Sequence, residues 1–199
     1  MRTSDLDTVH RFWFGPLADF QAFNADRMAL WFAGKADDEI ARRFSETLKQ
    51  AESSTIDALA LSRSQQVGLV VLLDQFPRNI FRGQPKSYAF DNRARHVVDT
   101  ITLGGMDGFK LVERAFLTIC LGHSERLDDQ IRAMRHFMND IKPHAPPDNP
   151  LYRAGAVRTA QYLDIITRFG RFPHRNGILG RKTTIEEAQF LVETQLASV

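Results

Sequence analysis

The sequence predicts an all-α domain of about nine to eleven helices packed as antiparallel pairs. Apolar residues recur three and four apart through most of the chain rather than alternating, as one-sided helices require. Cap and breaker residues divide these stretches into lengths of about 10 to 18 residues joined by short loops, which places successive helices side by side. The 199 residues, 43% hydrophobic and 25% charged, suit an ordinary globular chain, read as a single helical domain over residues 1–199.

Taken in order, Ser4 with Asp7 reads as a capping box opening a helix through Leu6, Val9 and Trp13, closed by Gly15 and Pro16. Asp26 is expected to cap a short helix through Leu30 to Phe32. From Asp37 to Glu52, Ile40, Phe44, Leu48 and Ala51 share one face, with Arg42, Arg43, Glu46 and Lys49 largely opposite. A segment from about Ser64 is apolar nearly all round through Val67 to Leu73, so it belongs at the centre of the fold; Pro77 is expected to stop it. Tyr88 to Leu103 ends at Gly104 and Gly105, and Phe109 to Leu121 aligns Leu111, Ala115, Phe116 and Ile119.

Ser124 is expected to cap a helix to Ile141 whose inward face is Leu127, Ile131, Met134, Met138 and Ile141, with Pro143 ending it. Asn149 and Pro150 supply a cap and a first-turn proline for a helix through Val157 and Ile165 that Gly170 closes. Thr184 with Glu187 makes a second capping box before Leu191 and Leu196. No strand pattern of comparable length occurs, and there is no sustained self-similarity near the ~34-residue period of tandem helical repeats.

The same reading excludes several functions. The longest apolar run, Val67 to Leu73, falls far short of the ~20 residues that span a bilayer, so no membrane role is expected. Asp5 and Asp7 interrupt any secretory leader, which points to the cytoplasm. Cys120 is the single cysteine, leaving no internal disulfide and no cysteine-based zinc site. A net charge of +2 is too small to imply nucleic acid. Phosphate loops, nucleophile elbows, dinucleotide fingerprints and zinc spacings are absent, so neither cofactor nor metal is expected. Arginine outnumbers lysine 20 to 6, but a G- and C-rich genome produces the same bias, so position rather than count must argue function.

Position does argue. Asp74 to Gly83 reads DQFPRNIFRG and Arg168 to Arg181 reads RFGRFPHRNGILGR. Both place Phe-Pro, then Arg and Asn, just past a helix. As structure alone, Phe76 and Phe172 are buried staples and Asn79 and Asn176 turn formers. That leaves the basic load unexplained: Arg78, Arg82, Arg168, Arg171, Arg175 and Arg181, with His174, in two short loops. Guanidinium forks beside open backbone N–H groups make an anion site. A third segment, Gly122-His123-Ser124-Glu125, lies at a helix junction, where His and Glu serve as acid and base or simply bond the backbone. Asp74 can pair with Arg78 across a helix end, and Glu125 and Asp128 with other arginines, in which case these charges form a structural network.

These segments, with Phe12-Trp13-Phe14-Gly15, Trp31-Phe32, Ala89-Phe90-Asp91 and Gln130, are similar to the bacterial domain of unknown function 924 family over nearly the whole chain. The resemblance implies an all-helical, tetratricopeptide-repeat-like fold and assigns no reaction. The chain departs from the family pattern at Tyr162, where His is expected, and at Cys120-Leu121-Gly122, which replaces a Pro-containing run.

Three functions follow. The first is a binding module for a small anion or peptide carboxylate, using Arg78, Asn79, Arg82, Arg171, Arg175 and Asn176. The second is an enzyme in which His123 or His174 acts as acid or base beside Asp74 and Glu125. The third is a locked internal network with no ligand. Fold alone does not choose among them.

Overall fold

A computed structural model, described for residues 1–15 and 24–194, contains nine α-helices and no strand among those residues. They are α1 (Thr3–Phe14), α2 (Ala25–Phe32), α3 (Asp37–Ser53), α4 (Arg63–Ile80), α5 (Asp91–Ile101), α6 (Leu111–Gly122), α7 (Leu127–His136), α8 (Pro150–Phe169) and α9 (Ile185–Thr194). Short 3-10 turns at Ala58–Ala60, Pro85–Tyr88 and Pro173–Arg175 join some of them, and α7 runs into a π turn at Phe137–Ile141.

The apolar segment Val67 to Leu73 lies in α4, which packs against α1, α3, α5 and α6. All its large side chains are buried, as a helix apolar on every side must be. Gly68 faces α1 so closely that a Cβ there would sit 2.4 Å from the Leu6 carbonyl oxygen. Absence of a side chain thus sets the α1–α4 separation. Around this seam Trp13, Phe14, Trp31, Phe76 and Phe116 form an edge-to-face aromatic cluster. A smaller apolar cluster, Ile165, Ile166, Phe172 and Phe190, holds the C-terminal segment together.

The α3 face is the one its spacing predicts: Ile40, Phe44, Leu48 and Ala51 are buried. Asn149 caps α8 by accepting the Leu151 N–H, and left-handed Gly170 ends it. Thr184 and Glu187 form their capping box at α9.

Other expectations are corrected. Pro77 does not stop α4, which continues to Ile80. The missing N–H costs less than unpacking a turn whose Phe76, Pro77 and Asn79 are all buried. The first helix is opened by Asp5, whose carboxylate accepts the Arg2 N–H at 2.8 Å, rather than by Ser4. Asn24, not Asp26, caps α2 by accepting the Arg27 N–H. Ser124 lies three residues ahead of α7, and its hydroxyl donates to Asp129.

The inward face of α7 also differs from the predicted stripe. Leu127, Ile131 and Met138 are each more than 40% exposed, while Asp129, Gln130 and Ala133 are buried. Gln130 points inward because its amide donates to the carbonyls of Gly122 (2.8 Å) and Ser124 (2.6 Å), stitching the α6–α7 junction. Pro16 and Leu196 lie outside the described residues.

Candidate functional site

The site forms where α4, the start of α5, the α6–α7 junction and the turn after α8 meet. Asp74 and Arg78 are one turn apart on α4, an i,i+4 spacing that points both side chains the same way. Across from them, the junction turn after α6 presents His123, whose Nδ1 lies 2.8 Å from Asp74 Oδ1. Asp91 opens α5 and accepts from Arg78 at 2.9 Å. Arg175, in the 3-10 turn after Phe172, closes the group by donating to the His123 carbonyl at 3.0 Å.

Beside this group lies a cavity of about 260 Å3, lined among others by Tyr88, Asp91, Cys120, His123, Glu125 and Arg175, with Asp74 and Arg78 behind its wall. A larger depression of about 330 Å3 between α1, α2 and α3 is lined by Thr8, Arg11, Phe12, Arg27, Leu30 and Arg43. Among the described residues its lining contains no acid or imidazole, and two of its arginines are already engaged, Arg27 with the Phe12 carbonyl and Arg43 with Glu39. The smaller cavity is the one that brings acid, imidazole and guanidinium groups together.

Charge sets the state of each group. Burial opposes ionisation of Asp74, but the charges of Arg78 and His123 and the His123 hydrogen bond outweigh it, so its carboxyl stays well below the usual range. Burial, then the charge of Arg78, pushes His123 below the ordinary histidine value despite Asp74, leaving a neutral ring near pH 7. With Nδ1–H donated to Asp74, Nε2 carries the lone pair and has no protein partner among the described residues. Asp91 is shifted upward, by burial first and by repulsion from Asp74, against the pull of Arg78. One of its oxygens, Oδ1, is buried with no hydrogen-bond donor.

Arg175 is stacked between two rings, 4.7 Å from the centre of Tyr88 and 4.4 Å from that of Phe172. Its side chain is 7% exposed and its Nε has no acceptor. Burial and the neighbouring charge of Arg78 lower its pKa, against the opposing pull of Asp91 and Glu125. Arg78, expected in a loop at the anion site, instead lies in the last turns of α4, is paired with Asp74 and Asp91, and does not line the cavity.

The remaining sequence candidates take other positions. Glu125 lines the cavity but spends both oxygens on Arg181 (2.7 and 3.0 Å) and the Phe172 N–H (2.8 Å), buckling the junction to the C-terminal turn. Burial works against its ionisation, yet the hydrogen bonds from Arg181 and Phe172 hold its pKa low. His174 sits behind Arg175 against the Phe172 ring, its pKa lowered to about 4 by burial and then by Arg175. Asn79 and Arg82 are not at the cavity: both donate to Asp37 and tether the start of α3. Arg171 and Asn176 bond Glu187 and fix the start of α9. Tyr162 packs edge-on to Phe172 and does not line the cavity. Asp91, read only as part of a motif, and Tyr88 are the site residues the sequence reasoning missed; the one signal was their position shortly after the first Arg-rich segment, which ends α4.

Among the described residues no group of three or more His, Cys, Asp or Glu is arranged to hold a metal ion. Fold and site define an all-helical protein with one buried Asp–His pair and a stacked arginine facing a small polar cavity. The chain belongs to the family of bacterial proteins of unknown function DUF924, whose model matches residues 9–195. It is similar to a solved protein of unknown function from Agrobacterium tumefaciens, with 32% identity and a TM-score of 0.76 over 96% of this chain and 99% of that one. No curated protein matches it.

Proposed function

We propose that the cavity binds a small anionic molecule, a carboxylate or phosphate, with Arg175 as the principal contact. The observation that carries this reading is Arg175 itself, a cavity-lining guanidinium that is desolvated, stacked on Tyr88 and Phe172, and left with a buried, unpartnered Nε. A buried donor without an acceptor is costly, and an anionic ligand removes that cost with a charge-assisted hydrogen bond. The cavity volume of about 260 Å3 lies below the usual range for drug-sized ligands, which favours a small molecule over a peptide segment. The protein is read as a tetratricopeptide-like stack working as one domain in the cytoplasm. A buried, unpaired Cys120 suits that reducing compartment, and no described helix is long and apolar enough to cross a membrane.

Thermal melting with propanoate and inorganic phosphate tests the binding. At a hundredfold excess over its dissociation constant a ligand adds about 2.7 kcal/mol, which raises Tm by roughly 5 to 11 °C in a chain of this size. Arg175→Met should abolish the shift. No shift with any carboxylate or phosphate, or a shift that survives Arg175→Met, overturns the proposal.

The Asp74–His123 pair favours a second reading, an acid–base enzyme acting on the same ligand. Neutral His123, oriented by Asp74, takes a proton at Nε2 from a bound hydroxyl or water, while Arg175 holds the anionic end. Turnover lost in His123→Gln with binding retained would establish it; binding without turnover across hydrolytic and transferase screens would reject it.

A further inference from the structure

Three buried polar atoms remain without a hydrogen-bond partner on residues that line the same cavity: the donors Nε of Arg175 and Nε of Arg95, and the acceptor Oδ1 of Asp91. Arg95 Nε already lies 3.4 Å from the Asp129 carboxylate, which leaves Arg175 and Asp91 as the pair of opposite kind. They do not serve each other: the nearest approach of the two side chains is Arg175 Nη1 to Asp91 Oδ2, at 3.9 Å, and it involves neither orphan. A ligand that offers only an anion satisfies Arg175 and leaves Asp91 as it stands.

Charge balance sharpens the requirement. The buried cluster that forms and backs the inner wall carries Asp74 and Asp91 against Arg78 and Arg175, with His123 neutral. Toward the mouth, Glu125 is matched by Arg181, while Arg95, Arg126 and Arg132 share Asp99 and Asp129, an excess of one cation at the exposed rim. Inside, a bare carboxylate adds one charge to a desolvated cluster whose own charges balance, and a molecule carrying both signs adds none. The environments of Arg175 and Asp91 agree, since burial and a neighbouring like charge work against the charged form of each.

Building on the anion-binding reading above, we infer that the ligand is a small zwitterion of the α-amino acid class, its carboxylate on Arg175 and its ammonium on Asp91. The two attachment points sit on adjacent side chains, which matches the short separation of carboxylate and ammonium on one carbon atom. His123 Nε2, an acceptor near pH 7, provides a further place for an ammonium hydrogen.

The test compares four probes by thermal melting of the whole chain: L-alanine, propanoate, ethylammonium and inorganic phosphate. L-Alanine should raise Tm at concentrations at least tenfold lower than propanoate, and ethylammonium should have no effect. In Asp91→Asn, which keeps the shape of the side chain, the advantage of L-alanine over propanoate should disappear, and in Arg175→Met every shift should vanish. If propanoate or phosphate matches L-alanine on the unaltered protein, or if the L-alanine advantage survives Asp91→Asn, the zwitterion assignment is overturned while anion binding stands. If no probe shifts Tm, both fall. Because the probe comparison is made on the unaltered chain, it decides the matter even where a variant folds poorly.

Discussion

Replacing Gly68 by alanine should destabilise the protein, although the same change in an open helix is favourable. Gly68 lies inside α4, where exchanging glycine for alanine alone gains about 0.5 to 1 kcal/mol. The new Cβ, however, meets the Leu6 carbonyl oxygen at 2.4 Å and its carbon at 3.1 Å. The obstacle is backbone of α1, held by the buried Leu6, Val9 and Trp13, so it cannot rotate aside as a side-chain tip would. Overpacking of this kind costs about 1 to 3 kcal/mol or more, and a rigid backbone obstacle puts it at the upper end. The net expectation is a loss of about 2 kcal/mol, a fall in Tm of roughly 4 to 8 °C. Gly122→Ala supplies the contrast. There the nearest atom is Tyr162 Cδ2 at 3.7 Å, an ordinary contact, so the variant should melt within about 2 °C of the unaltered protein. Differential scanning calorimetry of both variants measures the pair. A Gly68→Ala protein as stable as the original would refute the close α1–α4 approach on which the core arrangement depends.

Leu72→Ala should cost about 2 to 5 kcal/mol by urea unfolding, because Leu72 is wholly buried at the centre of α4; a loss below about 1 kcal/mol would remove that helix from the core. Arg78→Met should cost about 3 to 5 kcal/mol, since it leaves Asp74 and Asp91 without their shared cation. Unaltered stability on chemical denaturation would show that those carboxylates are solvated. Stability should also fall as pH drops from about 6.5 toward about 4. In that window the unfolded chain binds protons at His174 and His123 that the folded chain refuses, because both folded values are lowered. The His174 share is on the order of 2 kcal/mol after allowance for its partial exposure. Melts of His174→Phe across this range should show a flatter profile than the original, and an identical profile would rule out His174 as the source.

Legibility in the sequence tracked how apolar each seam is. In α3 and α4 the buried faces are hydrocarbon, so spacing alone locates Ile40, Phe44, Leu48 and the Val67 to Leu73 run. At α7 the buried side is polar: Gln130 serves two carbonyls, and Asp129 faces Arg95 and Arg132. A hydrophobic pattern cannot report a face that is not hydrophobic, and the exposed Leu127 and Ile131 imitate one. The candidate site divides in the same way. Of the sequence candidates His123, Glu125 and Arg175 line one cavity and Asp74 and Arg78 stand behind it, but the two segments with the same residue order, one the end of α4 and the other a turn after α8, have different uses for their arginines. Arg82 is consumed by Asp37 and Arg171 by Glu187, acids 45 and 16 positions away. Composition marks where guanidinium groups are dense; only the fold tells a neutralised one from one still lacking an acceptor.

Arg175 and its stacking partner Phe172 arrive on a segment packed around its own small apolar cluster, Ile165, Ile166 and Phe190. Asp74, Arg78 and Asp91 belong to helices built around the principal core. During synthesis the earlier helices emerge first, and closing a loop of about a hundred residues is a late event in folding. The floor of the cavity therefore belongs to one apolar cluster and its roof to another. Glu125, joined to Arg181 and to the Phe172 N–H, is the latch that seats that roof. A molecule that bridges Asp91 and Arg175 would bind only the latched form, so it would slow hydrogen exchange at the Phe172 and Arg175 amides more than anywhere in α3.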